Sequence, residues 1–586
     1  MTNRDDDFQV RPGRIRQGGS SAKPKSFIAQ VLKAARKAGP AVARSPGGKR
    51  SPNFGRSSFG RGRAGFSRTR LFSPGRRVVV KARVVRHQGH AFRSAPLSAH
   101  LSYLKREGVT RDGEKARMFD ATTDHADDTA FAERCQDDRH HFRFIVSPEE
   151  AVEMTDVRAF TRDLARQMEA DLGTRLDWVA VDHWNTDNPH VHLLVRGVDE
   201  TGADLVISRD YISRGLRSRA EDLVSIELGP KPEHEIRSAL EREIEADRWT
   251  RLDVEIRGMA DETGRIDLRP SGANDPELRR LMIGRLQKLE KMGLAVSAGP
   301  GQWAVELEAE RTLRDLGLRG DIIKTMHRAF TERGQDRGIG DYATESGDAA
   351  APIIGRLVDK GLHDELTGEA YAVIDGTDGR AHHVRFRGIE TFEHAPPLGG
   401  IVEVRRFGGD DDQRPTLVLA TRSDLDLARQ VTAPGATWLD HRLVEREVLP
   451  LAMGGFGSEV RTAMTARTEH LIEEGLARRH NQRVIFQRDL LATLRQRELD
   501  AAGARLAGET GLPYVKAESG DNVAGLYRQR LTLSSGRFAM IDDGLGFQLV
   551  PWSPTIEKHL GRHLSGIAKD GGGIEWSLGR KRGLEI

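Results

Sequence analysis

The sequence predicts an α+β protein: an antiparallel sheet with helices on one face, followed by winged-helix-like and small β-barrel-like modules. Three observations support this. Alternating apolar runs and amphipathic helical segments follow one another along residues 78–234, an order typical of α+β domains. A helix, a Gly-Leu-Ala turn and a hairpin occur twice further along the chain. The 586 residues are too many for one core, so we expect several domains.

The first domain, residues 78–234, is predicted to place two strand-helix pairs before a β-hairpin. Residues 77–86 and 140–147 have the pattern of strands. Residues 100–108 are predicted to form a short helix that ends at its glycine, Gly108. A second helix begins at Thr155 or Asp156 and ends at Gly173. Two apolar runs, residues 178–182 and 190–196, flank an Asn-Pro turn and predict the hairpin.

Three histidines lie around this predicted hairpin. His190 and His192 share a face because side chains alternate along a strand. His183 stands where the chain leaves the preceding strand, so its ring can reach the same face. Three converging imidazoles predict a divalent-metal site with open positions for a phosphate oxygen. The alternative is a hairpin whose histidines only form hydrogen bonds.

The charge of the chain is strongly asymmetric. Residues 1–100 hold 23 Lys and Arg against 3 Asp and Glu, whereas the remaining 486 residues hold 68 against 84. Residues 1–77 are also rich in Gly, Ser and Pro, so we expect a disordered basic tail that binds nucleic acid or only aids solubility. The single cysteine, Cys135, excludes internal disulfides and suits a reducing cytoplasm. No apolar run is long enough to insert into a membrane.

Further segments follow the first domain. Residues 235–350 and 423–504 are predicted to be winged-helix-like, residues 351–422 and 505–586 β-modules. Just before them, residues 208–220 form a basic helix that either contacts DNA or is a solvated surface. Its arginines are Arg209, Arg214, Arg217 and Arg219.

The stretch from Asp182 to His192 resembles the three-histidine motif of conjugative relaxases, the HUH endonucleases that nick plasmid DNA at its transfer origin. Residues 100–113, 140–148 and 178–230 resemble the mobilization-nuclease branch, which carries a long C-terminal region of obscure role. The resemblance implies a relaxase that cuts one strand through a 5′-phosphotyrosine link and pilots it in conjugative transfer. It also implies DNA at a transfer origin, single-stranded and duplex, as the partner, together with relaxosome proteins and a coupling protein.

Tyr103 aligns with the stretch that resembles the relaxase nucleophile motif, and Lys105 and Arg106 beside it are expected to bind DNA. Tyr211 is the competing nucleophile. The three histidines are expected to hold Mg or Mn against the scissile phosphate. Asp182, Asp187 and His141 stay open as general bases. Asn185 stands where related motifs often carry an acidic residue.

Two alternatives remain at this point. A rolling-circle replication initiator would use the same chemistry, and a DNA-binding scaffold would use its histidines only structurally. We expect a cytoplasmic protein that is exported to a recipient cell while attached to DNA.

Overall fold

The structure is a computed structural model. It describes residues 71–87, 95–106, 109–184, 188–270, 275–335, 337–344, 351–408, 416–445, 450–481, 483–569 and 573–577. The chain divides into two compact units, Met1–Asp321 and Ile322–Ile586, and the boundary falls within one long helix. Each unit is described by itself below.

Unit 1 begins with a four-stranded antiparallel sheet in the order β1-β2-β4-β3. Its strands are β1 (Val78–Arg86), β2 (His140–Pro148), β3 (Trp178–His183) and β4 (His190–Arg196). The α+β class, the antiparallel sheet and the hairpin formed by β3 and β4 are therefore confirmed.

Helices alternate with these strands. They are α1 (Ala95–Leu104), α2 (Asp128–Arg134), α3 (Val157–Leu172) and α4, which opens with a π-helical turn at Tyr211–Gly215 and continues as Leu216–Leu228. The Asp156 carboxylate caps α3 by accepting hydrogen bonds from the backbone N–H groups of Arg158 and Ala159. Gly173 ends α3 at a φ of 70°, a conformation that glycine adopts without strain.

The two faces of the sheet are covered to different extents. The apolar face, which carries Val191, Leu193 and Val195, packs against α3 and α4. The opposite face, here called the histidine face, carries His190 and His192. There α1 and α2 pack over β3 and β4, because the amphipathic α1 buries a row of leucines against them. The sequence predicted helices on one face and an open second face; the second face is covered in part.

The basic tail was predicted to extend to residue 77, and the structure describes the chain from Leu71 onward. Leu71 is buried in an apolar cluster with Leu240 and Leu286. The buried Arg76 guanidinium donates hydrogen bonds to the backbone carbonyls of Leu228 and Gly229. Folded structure therefore starts before residue 78, while residues 1–70 lie outside the described part of the chain.

The rest of unit 1 is the first winged-helix-like module. It contains α5 (Glu233–Ile244), α6 (Arg251–Met259), β5 (Arg265–Asp267), α7 (Pro276–Lys291), β6 (Ala295–Gly299) and β7 (Gln302–Val305). The three strands pair in the order β5-β7-β6. The long helix α8 (Ala309–Thr331) follows and contains the unit boundary.

The described residues of unit 2 form two large sheets and one two-stranded sheet. The first comprises β8 (Tyr342–Ala343), β9 (Ile353–Asp364), β10 (Glu369–Gly376), β11 (Ala381–Phe386), β12 (Ile401–Phe407) and β13 (Thr416–Ser423). Its order is β13-β12-β9-β10-β11-β8, and only the short β8 pairs in parallel. Among the described residues its outer strands do not pair, so the predicted barrel-like module is an open sheet.

A second winged-helix-like module separates the two sheets. It contains α9 (Leu427–Val431), α10 (Trp438–Val444), α11 (Gly455–Glu473), β14 (Ala477–His480) and β15 (Arg483–Phe486). The helix α12 (Leu490–Thr510) leads into a five-stranded antiparallel sheet of order β18-β17-β16-β19-β20, which is also open within the described residues. Its elements are β16 (Asn522–Leu533), β17 (Gly536–Asp542), β18 (Phe547–Pro551), α13 (Pro554–Glu557), β19 (His563–Ala568) and β20 (Ile574–Trp576).

The two winged-helix-like modules share one buried ion pair. In the first, Arg285 donates to both carboxylate oxygens of Asp253, at 2.8 and 2.9 Å. In the second, Arg467 does the same with Asp440, again at 2.8 and 2.9 Å. All four side chains are at most 1% exposed. Each aspartate also closes a capping box at the start of its helix.

The remaining donors of the two arginines match as well. Each guanidinium donates to three alternate backbone carbonyls of the loop before the capped helix. These carbonyls belong to Ile244, Ala246 and Arg248 in the first module and to Val431, Ala433 and Gly435 in the second. The predicted duplication thus extends to the internal contacts of each module. Neither module, nor any other described part of the chain, has a helix long and apolar enough to cross a membrane.

We expect Arg467→Met to lower the free energy of unfolding by about 3–5 kcal/mol, because it leaves the buried Asp440 carboxylate without its cation. Denaturant unfolding followed by circular dichroism measures the change. Arg505→Met removes an arginine that is 63% exposed and should cost less than about 0.5 kcal/mol. Equal shifts in the two variants would contradict a structural role for the buried pair.

Candidate metal centre

The three histidines meet at the turn end of the hairpin formed by β3 and β4. His183 lies directly across from His190 in the antiparallel register, and His192 lies two residues further along β4. All three side chains are at most 3% exposed. Their ring centroids are 4.5 to 5.5 Å apart, and one nitrogen from each ring lies within 4.8 Å of the others. The structure therefore brings together the set that strand alternation predicted.

Hydrogen bonds orient two of the three rings. His183 Nε2 donates to the backbone carbonyl of Leu104 at 2.8 Å, and His190 Nδ1 donates to the carbonyl of Asn188 at 3.0 Å. Because a carbonyl only accepts, each of these nitrogens carries a hydrogen, and His183 Nδ1 and His190 Nε2 are the nitrogens suited to bind an ion. Metal-binding histidines commonly use their second nitrogen in this way.

The spacing of the nitrogens fits a shared divalent ion. His190 Nε2 and His192 Nε2 are 3.2 Å apart. Two imidazole nitrogens at about 2.1 Å from one ion are separated by roughly 3.0–3.4 Å, depending on the coordination angle. Three neutral imidazoles are also a donor set that transition ions accept. The arrangement thus fits a metal centre with positions left for a substrate oxygen.

Tyr103 lies in the last turn of α1, on the histidine face. The residue after it, Leu104, is fully buried and supplies the carbonyl that His183 binds. The Arg106 guanidinium stacks 4.1 Å from the centre of the Tyr103 ring. Lys105 forms an ion pair with Asp128 of α2, at 2.6 Å. The C-terminal end of α1, with its tyrosine and two cations, is therefore attached to the metal-centre histidines.

Tyr211, the competing nucleophile, lies elsewhere. It packs on the core of the apolar face, and its hydroxyl donates to Asp171 at 3.0 Å. Burial, with the neighbouring Asp171 carboxylate, raises the pKa of the Tyr211 phenol well above its usual value. A phenol that holds its proton on the far side of the sheet is poorly suited to attack a phosphate at the histidines.

Two of the three predicted general bases, Asp182 and His141, lie among the described residues. Asp182 precedes His183 in β3, so its side chain points to the apolar face, where it accepts hydrogen bonds from Arg158 Nε at 2.9 Å and Trp184 Nε1 at 2.7 Å. Strand alternation therefore puts the Asp182 carboxylate on the face of the sheet opposite the three histidines, and its part in catalysis stays a prediction. Asp187 and Asn185 lie outside the described residues.

His141 lies in β2 opposite Arg196, four residues along β4 from His192. That separation corresponds to about 13 Å along a strand. Its Nε2 accepts a hydrogen bond from Arg143 Nε, and its Nδ1 bonds His87 Nε2 at 2.8 Å. Burial lowers the pKa of His141 well below its usual value. His141 belongs to a separate polar network of β1 and β2.

The predicted basic helix is the start of α4, which covers the apolar face. Arg214 pairs with Asp210 at 2.7 Å, and Arg219 makes two hydrogen bonds to Asp171. Arg209 is exposed and Arg217 is half-buried. These arginines therefore lie across the sheet from the histidines. The reason is that α4 buries a different stripe of residues, Ile212, Leu216, Ala220 and Val224, against the sheet.

Two further groups of cations lie on the histidine side. Lys81 and Arg83 of β1 share that face with Arg143 of β2. An open cleft of about 650 Å³ lies beside the end of α1, and Lys105, Lys115 and Arg117 line it together with His125, Glu114 and Asp128. The sequence could have predicted that Lys81 and Arg83 share a face, because they are two residues apart in the alternating segment 77–86. Nothing in the sequence places loop 113–118 beside α1.

We expect His192→Ala to raise the dissociation constant for Mn²⁺ by more than about 100-fold, since even the loss of a supporting residue around a metal costs 10- to 100-fold. Isothermal titration calorimetry measures this constant. His234→Ala removes an exposed histidine of α5 and should leave binding unchanged. Wild-type affinity in His192→Ala would show that the three rings hold no ion.

Comparisons with known proteins agree with this geometry. Residues 105–221 match the family model of the MobA/VirD2-like relaxase nuclease domain. That range contains the three histidines and begins two residues after Tyr103. The relaxase resemblance is thereby confirmed. No curated protein and no solved structure matches the chain.

The C-terminal half has its own family match. A family described as a protein of unknown function, DUF3363, matches residues 282–416 and 409–585, together just over half of the chain. The expected long C-terminal region of obscure role is thereby confirmed. The chain belongs to the DUF3363 family and carries a MobA/VirD2-like relaxase nuclease domain before that region.

Proposed function

We propose that this relaxase nicks one DNA strand at a plasmid transfer origin, remains joined to the new 5′ end through Tyr103, and pilots that strand in conjugative transfer. The observation that carries the proposal is the hydrogen bond from His183 to the carbonyl of Leu104. It attaches the helix end that bears Tyr103 to the three clustered histidines. A nucleophile and a metal centre on one sheet face are what phosphoryl transfer by a tyrosine requires.

His183, His190 and His192 are the residues that would hold the ion, with Mn²⁺ or Mg²⁺ as the candidates. The bound ion supplies positive charge for the non-bridging oxygens of the scissile phosphate. Three imidazole nitrogens favour Mn²⁺ over Mg²⁺, because Mg²⁺ prefers oxygen ligands. The burial of all three rings excludes competing water from their side of the phosphate.

The chemical step exchanges one phosphoester for another. The Tyr103 oxygen attacks phosphorus and forms the P–O bond, while the bond from phosphorus to the 3′-oxygen breaks. The phenolic proton passes to a base, and the leaving 3′-oxygen takes up a proton from the solvent and ends as a hydroxyl. Arg106 places a guanidinium over the Tyr103 ring, beside the negative charge of the attacking oxygen. The ester count is unchanged, so the strand can be rejoined without ATP.

Asp187 is the remaining predicted candidate for the base. Asp182 is instead proposed to position His183: its carboxylate ties the end of β3 to Arg158 of α3 and to Trp184. This is a positioning role, because the carboxylate lies on the apolar face.

The substrate strand is proposed to follow the cations of the histidine side. Lys105 and Arg106 closely follow the nucleophile in the chain, and Lys105 also lines the cleft that contains Lys115, Arg117 and His125. Lys and Arg side chains neutralise backbone phosphates without reading sequence. The arginines of α4 are proposed to serve a different contact, since they lie across the sheet.

The proposed function also extends to DNA binding by the N-terminal segment, to protein partners and to the place in the cell where the protein acts. Residues 1–77 carry a strongly basic sequence suited to nonspecific DNA binding. We propose that the protein acts in the donor cytoplasm together with accessory relaxosome proteins and a coupling protein. It is then exported while attached to the strand.

We expect Tyr103→Phe to abolish the covalent DNA adduct, since the nucleophilic oxygen is removed. Denaturing gel electrophoresis detects the adduct after incubation with single-stranded oligonucleotides that tile the origin, with Mn²⁺ or with chelator. Tyr211→Phe is the matched control and should retain the adduct. An adduct that persists in Tyr103→Phe and vanishes in Tyr211→Phe would transfer the role to Tyr211. Tight binding without any adduct would favour a scaffold.

We expect Asp182→Asn to slow nicking by less than about tenfold, whereas loss of a general base costs about 10²- to 10⁴-fold. Single-turnover cleavage of the origin strand with Mn²⁺ measures the rate. His192→Ala, assayed in parallel, should lose activity. A fall of 10³-fold in Asp182→Asn, with the fold intact by circular dichroism, would restore Asp182 as the base.

A further inference from the structure

The two winged-helix-like modules share their internal framework but differ in their hairpins. In both, the buried arginine lies eight residues before the Gly-Leu-Ala turn that opens the hairpin. The hairpin segment 295–306 contains no Lys or Arg and one glutamate. The equivalent segment 477–488 contains four arginines and no acidic residue. Because the scaffold is the same, the difference in charge is a property of the hairpin itself.

Two arginines of the second hairpin, Arg478 and Arg483, face outward. In the register of β14 and β15, Arg478 pairs with Ile485 and His480 pairs with Arg483. Alternation therefore puts these four side chains on one face, and all four are exposed. Ala477 and Phe486 lie on the other face, where Ala477 belongs to the apolar core of the module.

Few of these positive charges are neutralised within the protein. Arg479 forms an ion pair with Glu469 of α11. Arg478 and Arg483 have no ion-pair partner in the part of the chain that the structure describes. In the first module, Val296 holds the position of Arg478, and Gln302, like Arg483, opens the second strand of its hairpin.

The shape of this surface fits a DNA duplex. A two-stranded ribbon fits a groove of B-form DNA, and arginines on its outer face reach the phosphates or the minor groove. Proteins that hold single strands use aromatic side chains as stacking platforms. The outer face here carries arginine, histidine and isoleucine, and the one phenylalanine of the hairpin points inward.

We propose that the hairpin formed by β14 and β15 binds the backbone of duplex DNA through Arg478 and Arg483, and that the neutral hairpin of the first module does not. This assigns a DNA contact to the DUF3363 region, separate from the nuclease domain. The duplication then supplies one module that binds duplex DNA and one that is free for another role.

The test uses the full-length chain in chelator, so that no strand is cut. The variant Arg478→Val/Arg483→Gln gives the second hairpin the residues found at the matching places of the first. Fluorescence anisotropy measures binding to a 30-base-pair duplex of arbitrary sequence, and to one of its single strands, from 50 to 300 mM salt. Arg311→Ala/Arg505→Ala is the control, because it removes the same charge from arginines that are 80% and 63% exposed.

The proposal requires weaker duplex binding by the hairpin variant and a salt-dependence slope that falls by about 1.8, since each phosphate contact contributes about 0.9. Single-strand binding, and Mn²⁺-dependent nicking of origin DNA assayed separately, should match the wild type. An unchanged duplex slope would overturn the proposal, as would an equal fall in the control or a loss confined to the single strand. Because nicking is read separately, failure of the nuclease proposal is distinguishable from failure of this one.

Discussion

The site of the nuclease domain depends on one contact, the hydrogen bond between the His183 ring and the carbonyl of Leu104. It joins a strand end to a helix end that are 79 residues apart in the chain. The bond orients one imidazole ring and, through the same helix turn, locates Tyr103. Leucines of α1 support it by packing on β3 and β4. An apolar interface thus holds a polar constellation in place, which is the rigidity that a reactive site needs.

The two winged-helix-like modules depend on a different constraint, a fully buried arginine-aspartate pair that occurs in each of them. Buried ion pairs are weak sources of net stability because both charges lose their water. Here the guanidinium donors are satisfied by the aspartate and by three loop carbonyls, so the pair fixes how the loop meets the helix. With that geometry fixed, the exposed hairpin can change its charge without changing the fold.

Much of the fold was predictable because strand alternation and helix capping are local. Strand alternation is enough to put His190 and His192 on the same face of one strand. Capping residues are enough to bound the helix between Asp156 and Gly173. The same alternation rule, applied to the residue before His183, would have placed the Asp182 side chain on the other face of the sheet. The arginines of α4 could not be assigned to a sheet face, since a helix that is basic on one side can pack on either face of a sheet. The cleft beside α1 depends on loop contacts that no periodicity records.

The buried ion pairs could not be predicted from the sequence, because Arg285 and Asp253 are 32 residues apart and Arg467 and Asp440 are 27 residues apart. The repeated pattern Ala-x-x-x-Thr-x-Leu-Asp, at 246–253 and 433–440, was present in the sequence but has no meaning until the arginines are seen. Long-range polar contacts of this kind depend on the tertiary structure, which sets them independently of local propensity.

Peptide mapping of the covalent adduct can determine whether the proposed phosphotyrosine forms at Tyr103. After nuclease treatment to leave a short nucleotide remnant, trypsin releases residues 94–105 and 210–214, each with a single tyrosine. Mass spectrometry should find the nucleotide mass on the 94–105 peptide, at Tyr103, and only when metal was present. The same mass on the 210–214 peptide would contradict the account, because it would place the reaction on the opposite face of the sheet.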